Sequence, residues 1–154
     1  FSTVNIEAHE FEAVMDADIE ATVHEALVPA HSIAKVADAL PGLGIVVCVL
    51  GVILTISKIS EPPEVLGHSI GAALVGTFMG VLLAYGFVGP IATNIEHRAK
   101  ELEAILVVAK ASLTAFVGGN PPPMALEAGR RAISTHERPT FVELEEAVKT
   151  AKGK

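Results

Sequence analysis

The sequence predicts an all-α membrane protein, in which two transmembrane helices carry long cytoplasmic helical extensions. Two apolar runs are the main reason. The stretch from Leu40 to Ile56 contains no charged side chain, and the stretch from Val65 to Ile91 contains none apart from His68. Runs of roughly 17 to 25 apolar residues match the hydrocarbon thickness of a bilayer at about 1.5 Å per helical residue. Composition points the same way: hydrophobic residues make up 51% of the chain and aromatics only 5%, so the apolar mass is Val, Leu, Ile, Ala and Gly. Small and aliphatic residues suit close helix packing in lipid. No stretch shows the period-two alternation of a strand.

The elements follow in chain order. From about Thr3 to Leu27, the residues Phe11, Met15, Ile19, Val23 and Leu27 recur every fourth position among acids, which predicts an amphipathic helix within an acidic segment, residues 1–35. Pro29 either breaks that pattern or starts the next helix, since proline is tolerated in a first turn. The next helix runs to about Ile56 with an interruption at Pro41, and residues 36–56 form the first span. Residues 57–64 form a loop in which Glu61-Pro62-Pro63-Glu64 makes the turn. Residues 65–91 form the second span. Its helix continues over residues 92–117 as a stripe of Ile95, Ala99, Leu102, Ile105, Leu106, Ala109, Leu113 and Phe116. Gly118-Gly119-Asn120-Pro121-Pro122-Pro123 ends it. The tail, residues 118–154, holds a short helix from about Met124 to Ala132 and a last one to about Thr150. The last helix opens on a capping box, Thr140 answered by Glu143.

Basic residues near span ends stay on the cytoplasmic side. The loop holds Lys58 alone, whereas Lys35, Arg98 and Lys100 flank the opposite ends, so both termini are expected in the cytoplasm and the loop outside. Residues 1–40 carry eight acids against Lys35, and the chain's net charge is −7. That balance disfavours nucleic acid, which requires a clustered basic surface. The spans lie too far from Phe1 to be a signal peptide. A chain that opens on Phe1, within a helical pattern, is expected to be a piece of a longer protein. The single cysteine, Cys48, lies mid-span and excludes an intramolecular disulfide. Paired catalytic carboxylates, a nucleophile with a base, a phosphate loop and metal-ligand spacing are all missing, so no enzyme, metal or cofactor is expected.

Within the spans a few residues carry the available chemistry. Glycines and other small residues recur at four-residue spacing, Gly67 with Gly71, Ala72 with Gly76, Gly76 with Gly80, and Gly44 with Cys48; with Gly51 they predict close helix packing. Thr77 is the only hydroxyl deep in the second span. Such a threonine ordinarily bonds the carbonyl one turn earlier, and it becomes an ion or water ligand only on a hydrated path. Tyr85 is placed as an interfacial anchor. Pro41 and Pro90 each release a carbonyl from the helix ladder, making a kink, a hinge or an ion-lining carbonyl. Neither apolar run contains Asp, Glu, Lys or Arg, so a partner must supply any ionisable carrier at membrane depth.

Three runs carry a resemblance: Ala39-Leu40-Pro41-Gly42-Leu43-Gly44-Ile45-Val46, Gly67-His68-Ser69-Ile70-Gly71-Ala72-Ala73-Leu74-Val75-Gly76-Thr77-Phe78-Met79-Gly80, and Ala84-Tyr85-Gly86-Phe87-Val88-Gly89-Pro90. So do Glu137-Arg138-Pro139-Thr140-Phe141-Val142-Glu143-Leu144-Glu145 in the tail and Met15-Asp16-Ala17-Asp18-Ile19-Glu20 before the first span. Nearly the whole chain resembles the A subunits of bacterial flagellar motor stators, within the MotA/TolQ/ExbB family. The resemblance implies that these are the last two spans of a four-span subunit of the bacterial inner membrane. It further implies five A subunits around two B subunits, whose transmembrane aspartate carries the ion, and torque delivered to the rotor switch protein FliG. Pro41 and Pro90 match the family's functional prolines, and Thr77 and Tyr85 match pathway positions. Sodium-driven members carry Thr where this chain has Cys48, a soft ligand poorly suited to a hard cation. That favours protons over sodium. The other readings are an ExbB/TolQ-type energiser of outer-membrane processes and a passive membrane scaffold; the Arg138-Pro139 tail favours the flagellar branch.

Overall fold

The computed structural model describes residues 7–152, and within them every regular element is helical. The expected helix start at Thr3 lies outside the described residues. Five α-helices follow in order: α1 (Ala8–Ile56), α2 (Pro63–Leu83), α3 (Gly89–Val117), α4 (Pro122–Ala132) and α5 (Phe141–Lys152), with a π-helical turn, Ala84–Val88, joining α2 to α3. The chain divides into two compact units, one of residues 26–98 and one of residues 1–25 with 99–154.

Two expected boundaries are corrected in α1. Neither Pro29 nor Pro41 interrupts it. A proline removes one hydrogen bond from the ladder, and in a long helix the turns on both sides hold the axis. Pro29 costs the exposed Glu25 its helical donor. Pro41 does the same to the carbonyl of Ala37, which is buried. The expected loop is also shorter than eight residues, because Pro63 and Glu64 already belong to α2. Pro62, at φ −55° and ψ 147°, stands before the helix and Pro63 occupies its first turn. There its fixed φ is already helical and its missing N–H is one that no helix uses.

In the unit of residues 26–98, the two spans run antiparallel along a seam of small residues. Ala30, Ala37, Gly44 and Gly51 recur every seven positions on α1, and Ala73 and Gly80 do so on α2. A seven-residue repeat keeps one stripe of a helix against its partner. The most apolar stretches of both helices are 11% and 17% buried within the chain, and Val46, Leu50, Ile53, Leu74 and Phe78 are all more than half exposed. Core helices of a soluble protein would be covered. These are two helices long and apolar enough to cross a membrane, and their outer faces are apolar.

The π turn was not expected from sequence. Ala84 is fully buried, and the next buried seam residue is Ala92, eight positions on instead of seven, followed by Ala99. One extra residue has been absorbed, which keeps alanines on the seam where an unbroken α-helix would bring Ile91 and Arg98. The Gly89 N–H reaches back five residues to the Ala84 carbonyl. The next bond in that wide register would need an N–H from Pro90, which has none, so the π pattern stops there.

The other unit contains the tail. Lys110 bridges Asp16 and Glu12 at 2.7 and 3.1 Å, tying α3 to α1. Gly119, at φ +88°, reverses the chain after α3, and Asn120 N–H bonds the Ala115 carbonyl at 3.1 Å. α4 lies on α3 through Ala125 and Gly129; a Cβ on Gly129 would collide with Ser112 Oγ and come within 3.2 Å of the Val108 carbonyl. α4 begins at Pro122, two residues before the expected start, and α5 reaches Lys152. The expected capping box is present: Thr140 N–H donates to Glu143 Oε2 at 2.7 Å and Glu143 N–H to Thr140 Oγ1 at 3.3 Å. The Thr140 N–H bond to the carboxylate, and then the Thr140 hydroxyl 2.9 Å from it, lower the pKa of Glu143.

Candidate functional site

The tightest point of the seam lies where α1 and α2 meet at glycines. A Cβ on Gly44 would lie 2.8 Å from the Gly76 carbonyl oxygen and 3.3 Å from Gly80 Cα. On Gly80 it would lie 2.6 Å from the Leu40 carbonyl oxygen, on Gly51 it would meet Ala73 Cβ, and on Gly76 it would come 2.7 Å from Val47 Cγ1. Real side chains do not tolerate such distances, so the backbones touch only because these positions are bare. Gly71 behaves differently: nothing lies within 4 Å of a Cβ built there, and the same holds for Gly67. Neither packs against α1, and the Gly67 and Gly71 positions open onto no close neighbour among the described residues.

Thr77 is corrected too. Its hydroxyl does not bond the carbonyl one turn earlier; it donates across the seam to the Gly44 carbonyl at 3.3 Å. Ser32, Thr55, Thr93 and Ser112 all make the ordinary backward bond. Thr77 departs from them because the glycine contact brings a foreign carbonyl within reach. At 3.3 Å the bond is long for a hydroxyl donor and correspondingly weak. Pro41 lies half-buried one residue beyond the Leu40 carbonyl that rests on Gly80.

Tyr85 and Pro90 are brought together elsewhere. Tyr85 is 73% exposed and lines an open groove of about 520 Å³ with Gly89, Pro90, Thr93, Asn94 and His97. That groove contains neither Pro41 nor Thr77. Gly89, which also lines it, has no room for a side chain: a Cβ there would lie 2.9 Å from the Ala84 carbonyl oxygen that accepts its N–H. Cys48 is free and half-buried on the seam side of α1.

Several polar residues at the end of the spans escaped the sequence reading. Thr93, Asn94 and His97 share the face of Tyr85 because they follow it at helical spacing. On the other side of Gly89, a smaller cavity of about 220 Å³ is lined by Ala30, His31, Ala34, Asp38, Ala92, Thr93 and Glu96. Asp38 reads in the sequence as one more acid of an acidic segment, two residues before the apolar run. The seven-residue seam that places it beside Gly89 emerges only once the π turn has set the phase of α3. Among the described residues, no group of three His, Cys, Asp or Glu lies close enough to hold a metal ion.

Comparison with known proteins covers most of the chain. Residues 3–107 match the MotA/TolQ/ExbB proton channel family. The chain is 43% identical to Motility protein A of Salmonella typhimurium over 149 residues, 97% of this chain and 50% of that protein. It is 44% identical to Motility protein A of Escherichia coli over 144 residues, 94% of this chain and 49% of that protein. Chemotaxis protein LafT of Vibrio parahaemolyticus is 34% identical over 145 residues, 94% of this chain and 51% of its own length. The chain thus spans about half the length of the curated relatives it matches.

Proposed function

The chain belongs to the MotA/TolQ/ExbB proton channel family, and on that ground we propose that it is the pore-forming half of a flagellar stator A subunit. The observation that carries this reading is the 43–44% identity with two motility proteins over nearly the whole chain. The glycine seam, with prolines at its ends, supports it as a structure built for close helix contact beside an ion path. In this reading the protein lies in the bacterial inner membrane with both described ends cytoplasmic, as the distribution of Lys35, Lys58, Arg98 and Lys100 favours. Five copies surround two B subunits, whose aspartate carries protons past Pro41, Thr77, Tyr85 and Pro90. The ring then pushes on FliG in the rotor. No cofactor takes part.

The apolar runs contain no acid of their own, which is why the carrier is assigned to the partner. Swimming complementation tests the reading. The intact parent protein, expressed with its B-type partner in a cell lacking its own stator A subunit, restores swimming. Pro41→Leu inserts and assembles but abolishes torque, because leucine closes the ladder at Ala37 and removes the released carbonyl. Rescue of outer-membrane energisation in place of swimming would assign the chain to the ExbB/TolQ branch, and rescue of neither would leave a scaffold.

A further inference from the structure

We propose that the spans carry a binding site for an anionic phospholipid, at the bilayer surface beside the turn that joins α1 to α2. A groove of about 450 Å³ opens there between the two helices. Its floor is apolar: Val47, Leu50, Leu54 and Ala72, with Leu54 66% exposed. Gly51 and Ala73 meet at its base, and the groove follows α1 from Val47 to Leu54, roughly 10 Å along the axis. Its mouth is polar, formed by Lys58, His68 and Ser69.

Those three side chains decide the chemistry. Lys58 and Ser69 are donors, and imidazole presents an N–H in either tautomer. None of the three has a hydrogen-bond or ion-pair partner among the described residues, whereas Thr55 in the same groove is already satisfied by the Gly51 carbonyl at 2.8 Å. The two acids of the turn region, Glu61 and Glu64, do not line the groove. Three unengaged donors above an apolar channel match a phosphate group with an acyl chain beneath it. Lys58 stands at the end of a span, where a lysine lays its stem on apolar surface and keeps its ammonium at headgroup level. A protein helix filling the same groove would bury that ammonium and leave it uncompensated. The site rests only on the chain spanning a membrane, not on what it transports.

The test uses the intact parent protein in its native membrane. A photo-reactive benzoylphenylalanine in place of Leu54 is expected to yield an adduct with phospholipid, identified by mass; an adduct with another polypeptide would overturn the assignment. Native mass spectrometry of the detergent-extracted assembly supplies the second reading. Retained phosphatidylglycerol is expected to fall roughly fivefold in Lys58→Gln, which removes one lysine charge worth about 1 kcal/mol near a membrane surface, and to fall in His68→Ala, which removes an N–H donor. The oligomer mass in the same spectra confirms that the variants assemble. Unchanged retention in both variants, or equal retention of phosphatidylethanolamine, would refute an anionic headgroup.

Discussion

At the scale of single residues, the seam separates glycines that look alike in sequence. Gly71 and Gly80 both sit at four-residue spacing from another small residue, yet a Cβ on Gly80 would meet the Leu40 carbonyl and one on Gly71 would meet nothing within 4 Å among the described residues. Gly80→Leu is therefore expected to destabilise the pairing of α1 and α2 by about 1–3 kcal/mol, the range for overpacked sites. Gly71→Leu should leave that pairing unchanged. Reversible unfolding of the protein in detergent, read for each variant, checks the contrast. Equal losses would mean that Gly71 meets a surface outside this chain that matters as much to stability. Spacing alone could not draw this line, because a span carries small residues on several faces. Thr77 teaches the same lesson: the sequence assigned its hydroxyl to its own helix, and only the glycine contact redirected it to Gly44.

At the scale of elements, helix identity was legible and helix phase was not. Apolar run length, the glycine and proline cluster after Val117, and the box of Thr140 with Glu143 each named an element, because each is a local physical requirement. The π turn is not local. It satisfies a distant need, keeping Ala92 on the seam after Ala84, and Gly89 and Pro90 are its only marks in the sequence. Deleting Gly86 should convert the turn to α-helix and put Ala92 seven positions after Ala84, so that everything beyond the turn keeps its phase on the seam. Cysteines placed at Ala30 and Ala92, which line one cavity, are expected to be joined by a short bifunctional reagent in a Cys48→Ala background, both with and without the deletion. Loss of cross-linking after the deletion would show that the turn does more than absorb one residue.

The tail helices depend on charge in a way that fixes a pH response. Glu127 accepts from Arg130 at 2.7 Å and from Arg131 at 3.0 Å, and these bonds lower its pKa from 4.5 to about 2. Arg130 also donates to the Pro139 carbonyl at 2.9 Å, so the cluster links α4 to the start of α5. A carboxylate with a depressed folded pKa stabilises fully above its unfolded value and loses that contribution as pH falls through the folded one. The tail should therefore loosen between about pH 4.5 and 2. Pepsin digestion of the detergent-solubilised protein over that window measures it. Cleavage between residues 122 and 141 is expected to rise more steeply in the wild type than in Glu127→Gln, which has no charge to lose; parallel curves would dismiss the cluster as a structural tie.

At the scale of the whole molecule, the chemistry available along the spans bears on which ion the proposed channel would carry. Sodium must exchange several waters for hard oxygens. Side chains at membrane depth supply little of that: the Thr77 hydroxyl is directed at the Gly44 carbonyl, the Thr55 hydroxyl at the Gly51 carbonyl, and Cys48 presents sulfur. In the proposed complex a proton would need only a carboxylate on the partner and a chain of water to reach it. Polar residues end the spans, Thr93, Asn94 and His97 on one side of Gly89 and His31 and Asp38 on the other, and such groups can hydrogen-bond water. Motility driven by the parent protein is accordingly expected to persist when sodium is replaced by potassium and to collapse when a protonophore is added. Without its B-type partner the chain should pass no protons above the leak of empty liposomes, since neither apolar run holds an ionisable carrier. Motor speed that follows external sodium at fixed pH and voltage would mean that released carbonyls at Ala37 and beside Pro90, or oxygens of the partner, complete a sodium site.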